Sequence, residues 1–256
     1  MVHINMSTQF VIVGAPRTGS TLLVKTLNSL DGICCHGELL GPDQVRGYED
    51  GADLINMSQQ QRTSRLQRLL QERNADPIGF IDRALHRPDS ATGFKALYAA
   101  FLDPRWHDVV HSLLARESVR FIHLTRNNGL RRFVSEQILL QGGPNHSAAG
   151  GRSEAPIKVA IDIEAFIRRA AELEAQSCAL ESMVSARPVL EIHYEALAAD
   201  TAATVAQVCE FIGLDIDAST IEPALKKVGV ADLKDAVSNY QELLVHPATR
   251  VLALTD

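Results

Sequence analysis

The sequence predicts an α/β fold of three layers, with a central parallel sheet flanked by helices. Three observations point to it. Short apolar runs alternate with longer stretches of helical period along the chain. The first run, Phe10–Val13, is apolar without a break, as expected of a strand covered on both faces. That run stops at Gly14-Ala-Pro16, and Gly19-Ser-Thr21 then opens a helix, so strand, tight turn and helix follow one another directly. The 256 residues suffice for one large α/β unit, and no interdomain linker interrupts 1–256.

The elements follow in order. Strands are expected at 9–13, about 32–36, 91–96, 119–124 and 188–192. Between the second and third lie two helical stretches, near 58–73 and 77–86, with Leu66, Leu69 and Leu70 at helical spacing. Helices near 104–115 and 128–141 bracket the strand that begins at Val119. The segment 142–156 is dense in Gly, Pro, Asn and Ser and has no apolar period; it reads as a loop, either a flap over a substrate or a passive surface connection. A long helix is expected over 162–186 and a shorter one from Thr201 to Phe211, with Asp200 placed as its N-cap. The last 35 residues read as helical.

Composition narrows the function classes. Hydrophobic residues at 46% and charged residues at 22% are ordinary for a globular protein, and a net charge of −6 supplies no global field for nucleic acid. No apolar stretch reaches the length of a membrane span, and the first residues lack the features of a signal peptide. The four cysteines have neither disulfide-framework nor metal-ligand spacing, which suits reduced thiols in a cytoplasmic protein.

The turn after the first strand carries the chemistry. Backbone N–H groups around Thr18–Thr21 and the positive end of the helix converge there and form an anion cradle, to which the hydroxyls of Thr18, Ser20 and Thr21 add donors. Gly14 and Gly19 have the spacing of the mononucleotide loop G-x-x-x-x-G-K-[ST], but Ser20 stands in place of its lysine and the cation is Arg17. A Mg²⁺-dependent phosphotransferase also needs an acidic strand end, whereas these strands end in Lys95, Arg126 and His193. Cations at the carboxyl edge of a parallel sheet face its binding crevice, so a site for several anionic groups without a metal is expected. An ATP-dependent phosphotransferase is the first alternative, and a nucleotide-binding protein without catalysis the second.

Pro16-Arg-Thr-Gly-Ser-Thr-Leu-Leu23 resembles the 5′-phosphosulfate loop of the sulfotransferases, enzymes that use 3′-phosphoadenosine 5′-phosphosulfate (PAPS) and release 3′,5′-adenosine bisphosphate (PAP). Four further blocks resemble the same family in the same order: Cys35-His-Gly-Glu-Leu39, Gly93-Phe-Lys-Ala-Leu-Tyr98, the stretch from Leu124 to Ser135, and His193-Tyr-Glu-Ala-Leu197 with Phe211-Ile-Gly-Leu214 and Asn239-Tyr240. The bacterial nodulation-factor and trehalose sulfotransferases are the members it resembles, which implies a P-loop-type fold and a carbohydrate or glycolipid acceptor. The resemblance places Pro16, Arg17, Thr18, Gly19, Ser20, Thr21 and Leu22 around the donor. It also implies a second anion site for the 3′-phosphate, with Arg126 giving a charge-assisted contact and Ser135 a hydroxyl. Lys226 and Lys227 could reach the same phosphate but are read as solvated, and Arg131 and Arg132 are ambiguous, one facing the cofactor or both solvated or ion-paired.

In such a reaction Arg17 stabilises charge building on the phosphate oxygens, and Lys95 is a second cation for the sulfuryl group. The acceptor hydroxyl needs a base. A glutamate in the region of Glu38 is the proposed base in the resembling enzymes, and His36 is its rival because histidine is the commoner general base. In the steroid and phenol branch the base histidine follows the strand that here carries Lys95, where this chain has Leu97 and Tyr98.

Overall fold

In a computed structural model of the chain, residues 7–143, 157–225 and 232–255 are described. Residues 144–156 of the expected loop, and Lys226 and Lys227, lie outside them. Among the described residues, five strands form one parallel sheet: β1 (Thr8–Gly14), β2 (Ile33–Glu38), β3 (Ala91–Leu97), β4 (Val119–Thr125) and β5 (Val189–His193), ordered β2-β3-β1-β4-β5. All five coincide with expected strands. The unbroken apolar run takes β1 to the centre, where Phe10 and Val11 are fully buried. β5, at the edge, alternates toward solvent.

Alternate residues of the central strands feed two cores. Val11, Val13, Phe94 and Ala96 pack on one face, against α2 (Gln59–Ala75), α3 (Pro77–Leu85), α5 (His107–Leu114) and α7 (Ile163–Val184). Phe10, Ile12 and Cys35 pack on the other, against α1 (Ser20–Leu27), α8 (Tyr194–Ala199) and α9 (Thr201–Phe211). This is the three-layer arrangement expected. Between α3 and α5 the chain runs through β3 and the short α4 (Tyr98–Phe101). A third cluster joins α6 (Gly129–Leu140) and α7 to the C-terminal segment.

Polar caps fix where several helices begin. Ser58 and Gln61 form a capping box at α2, and Asp76, Asn128 and Asp162 accept from the first turns of α3, α6 and α7. Asp200 caps α9 through the N–H of Ala203 at 2.9 Å, as its position predicts. Each such cap contributes about 1 kcal/mol.

Two expectations change. The stretch 104–115 starts as a 3₁₀ turn, Pro104–Trp106, and becomes α-helical only from His107. Pro104 suits the first turn, and the Asp103 carboxylate accepts from the N–H of Arg105. Instead of continuous helix, the C-terminal segment forms α10 (Leu233–Ala236), α11 (Tyr240–Val245) and α12 (Arg250–Leu254). The chain bends between them so that Leu233, Leu243 and Ala253 all reach the cluster on α6.

Candidate functional site

The cradle forms at the carboxyl end of β1. Gly19 precedes α1 with φ 82 and has no side chain to cap it, so the first N–H groups of α1 are left for an external acceptor. A Cβ at Gly19 would lie 2.7 Å from Cδ2 of Tyr194, so the loop packs on α8 in a way only glycine permits. Arg17 adopts φ 67, a left-handed conformation that costs a non-glycine residue about 1–3 kcal/mol. Thr18 is buried, and its hydroxyl donates to the carbonyl of Ala15 at 2.9 Å, which turns it inward to brace the loop.

Three donor-site residues expected from distant parts of the sequence meet here. Arg17 Nε donates to Ser135 Oγ at 2.9 Å, and Arg126 Nη1 donates to the carbonyl of Arg17 at 3.1 Å. The Arg126 guanidinium lies over the Tyr194 ring, 4.3 Å from its centroid, and its Nε is buried without a hydrogen-bond partner among the described residues. Burial pushes both Arg17 and Arg126 below the ordinary arginine value. Two desolvated guanidiniums beside free helix N–H groups fit a ligand with more than one anionic group.

Surrounding residues fix this half of the site. The Glu195 carboxylate accepts from the N–H groups of Asn127 and Asn128 at 3.1 and 3.2 Å and so holds the turn from β4 into α6. Arg132 pairs with Glu136 at 2.8 Å, and Arg169 pairs with the same carboxylate at 3.0 Å. Burial opposes the charge on Glu136, but the hydrogen bonds from Arg132 and Arg169 outweigh it and hold the carboxyl below its usual range. Tyr194 and Glu195 had no individual role from the sequence; the nearest signal was their place directly after a strand end.

On the other side of the crevice, Lys95 Nζ lies 3.0 Å from Glu38 Oε1 and 3.3 Å from Thr21 Oγ1. Glu38 sits inside β2, not beyond it, because β2 bulges at Gly37. His36 pairs with Phe94 and Glu38 with Lys95, so two steps on β2 match one on β3. In a regular strand His36 and Glu38 would share a face; the bulge separates them. A Cβ at Gly37 would lie 2.6 Å from the carbonyl oxygen of Arg46, so the returning loop needs glycine there.

His36 falls on the inner face. It is fully buried, Nε2 lies 2.8 Å from the carbonyl of Ala84, Nδ1 accepts from the N–H of Glu49 at 2.9 Å, and the ring stacks on Tyr48. Burial pushes it below the ordinary histidine value. Both ring nitrogens are engaged, Nε2 with helix α3 and Nδ1 with the loop at Glu49, while Glu38 opens toward the crevice.

Beyond Lys95 a cavity of ≈ 280 Å³ is bounded by Glu38, Leu40, Pro42, Leu97, Ala100 and the Asp103–Arg105 pair. Its floor is held by Arg73, a fully buried cation on α2 that donates to the carbonyls of Leu39 and Gly41 and lies over the Trp106 ring, 4.6 Å from its centroid. Among the described residues no three His, Cys, Asp or Glu side chains form a metal-holding group, and no helix is long and apolar enough to cross a membrane.

The model of the "Sulfotransferase family" matches residues 9–218, more than half of the chain. Two solved structures share the fold: the sulfotransferase domain from the curacin biosynthetic pathway, at 16% identity and a TM-score of 0.54, over 97% of this chain and 89% of that one; and the sulfotransferase domain of the Synechococcus PCC 7002 olefin synthase, at 18% and 0.51, over 97% and 92%. None of the curated proteins matches.

Proposed function

The chain belongs to the sulfotransferase family, and on that premise we propose that it transfers a sulfuryl group from PAPS to an acceptor hydroxyl. The observation that carries this reading is the position of Lys95, bonded on one side to Thr21 in the first turn of the cradle helix and on the other to Glu38. One cation thus joins an anion site to a carboxylate able to take a proton.

The residues present fit the donor. The N–H groups of Ser20, Thr21 and Leu22, framed by Pro16, Thr18 and Gly19, hold its 5′-phosphate, and Arg126 with Ser135 takes the 3′-phosphate. PAPS supplies a sulfuryl group on a phosphate oxygen, and PAP is the leaving group. Arg17 stabilises negative charge on the phosphate oxygens as the S–O bond breaks, and Lys95 steadies the sulfuryl oxygens. Glu38 accepts the hydroxyl proton as the acceptor oxygen bonds to sulfur. His36 acts as a positioning residue that fixes the strand and loop carrying Glu38.

The carbohydrate or glycolipid acceptor expected above rests on the family resemblance alone. A cytoplasmic location and a single unit over 1–256 belong to the same proposal. Calorimetric titration with PAP, ADP and adenosine 5′-monophosphate tests the donor assignment. PAP should bind more tightly than either, and the preference should vanish in Arg126→Ala; equal affinity for all three in the unaltered protein contradicts it.

A further inference from the structure

The cavity beside Glu38 says more about the acceptor than the family does. Lys95 separates it from the donor cradle, so a molecule seated in it meets the Lys95–Glu38 pair with one end. Its walls offer little else that is polar. Leu40, Pro42, Leu97 and Ala100 present carbon. The carbonyl of Gly41, a residue of the cavity wall, already accepts from Arg73. Asp103 and Arg105 pair with each other through contacts of 2.6 to 3.1 Å, which engage both carboxylate oxygens and the Nε and Nη2 donors.

This distribution discriminates between acceptor classes. A sugar ring would bring several hydroxyls besides the reacting one, and each buried without a partner weakens binding roughly tenfold. An apolar skeleton gains about fourfold in affinity for each methylene removed from water. At ≈ 280 Å³ the cavity lies just under the usual range for pockets that enclose a whole drug-sized ligand, so it suits a short carbon arm.

We infer that the acceptor is an alcohol whose hydroxyl is carried on an apolar carbon skeleton, which enters the cavity bounded by Leu40, Pro42, Leu97 and Ala100 and leaves its hydroxyl at Glu38. The inference rests on the sulfotransferase reading for the fate of that hydroxyl, while occupancy of the cavity is measurable without turnover. Arg73 is then a positioning residue, holding the wall at Gly41 and withdrawing its carbonyl.

Binding of n-butanol, n-hexanol, n-octanol and methyl glucoside to the full chain, with and without PAP, tests it by ligand-observed NMR. Affinity should rise about fourfold per methylene along the alcohols, and methyl glucoside should show no saturation. Ala100→Phe, which fills the cavity, should weaken n-octanol binding at least tenfold while PAP binding stays unchanged and reports an intact fold. Methyl glucoside binding as tightly as n-hexanol, or n-octanol binding undisturbed by Ala100→Phe, overturns the inference. If n-octanol binds as expected while PAP, ADP and adenosine 5′-monophosphate bind equally, the cavity assignment holds and the transferase reading fails.

Discussion

The two halves of the crevice are built differently. The donor half is a backbone device: a left-handed Arg17 whose side chain reaches Ser135 on α6, a capless helix start at Gly19, and Arg126 tied to the loop by the Arg17 carbonyl. The acceptor half is a side-chain device: one ion pair across a bulged strand pair, with carbon walls held by a buried arginine. A phosphate looks the same in every donor molecule, so rigid N–H groups suffice for it. An acceptor is recognised by shape, which side chains can vary without disturbing the sheet.

Substitutions that affect one half and spare the other would sharpen this contrast. Glu38→Gln should lower kcat about 10²–10⁴-fold, the scale of a lost general base, with PAP affinity unchanged by calorimetry. Full activity would remove Glu38 as base. Arg17→Ala should lower kcat about 10²–10³-fold and weaken PAP binding much less, because its main partner is charge that develops during transfer. Arg126→Ala should do the reverse, weakening PAP binding roughly 10–100-fold, the worth of charge-assisted hydrogen bonds. Equal effects of the two variants on binding and turnover would erase the distinction between their anion sites.

Smaller effects are expected from buried histidines and cysteines outside the crevice. Burial lowers the values of both His36 and His123, so the unfolded chain takes up protons that the folded chain refuses. Their contribution to stability is present above the unfolded value of about 6.5 and is lost as pH falls through the lower folded values. The urea midpoint should therefore be lower at about pH 5.5 than at about pH 7.5; a higher midpoint in acid contradicts the neutral, doubly engaged His36. Thiol labelling is the mildest probe. Cys178 is exposed, whereas burial pushes Cys34 and Cys209 up to about 11 and raises Cys35 further. Iodoacetamide at neutral pH should label Cys178 alone, and labelling of Cys34 or Cys35 would show the β2 edge opening.

The donor half was the more legible in the sequence, for the same physical reason. Backbone cradles demand glycine at fixed spacing and a cation nearby, so Gly14, Arg17 and Gly19 announce themselves, as do five apolar runs and the cap at Asp200. Side-chain sites leave no such trace. Leu40, Leu97, Ala100 and Arg73 stand at no spacing that marks them out in the sequence, and only the fold brings them together around one cavity. The bulge at Gly37 depends on Arg46 and Gly47 folding back across the strand, so regular alternation puts His36 and Glu38 on one face when they stand on two. Thr18 was expected to donate to a ligand, but its hydroxyl braces Ala15. Tyr194 packs on Gly19 and beneath Arg126 only because β5 lies next to β4.

A single-turnover experiment with sulfur-labelled PAPS, n-octanol as acceptor and EDTA in the buffer tests sulfuryl transfer most directly. The label should appear on the alcohol in the same amount as PAP is formed, and Glu38→Gln should slow both together. Label that stays on PAPS, with phosphate passing instead from ATP to the alcohol when Mg²⁺ is supplied, would contradict the account.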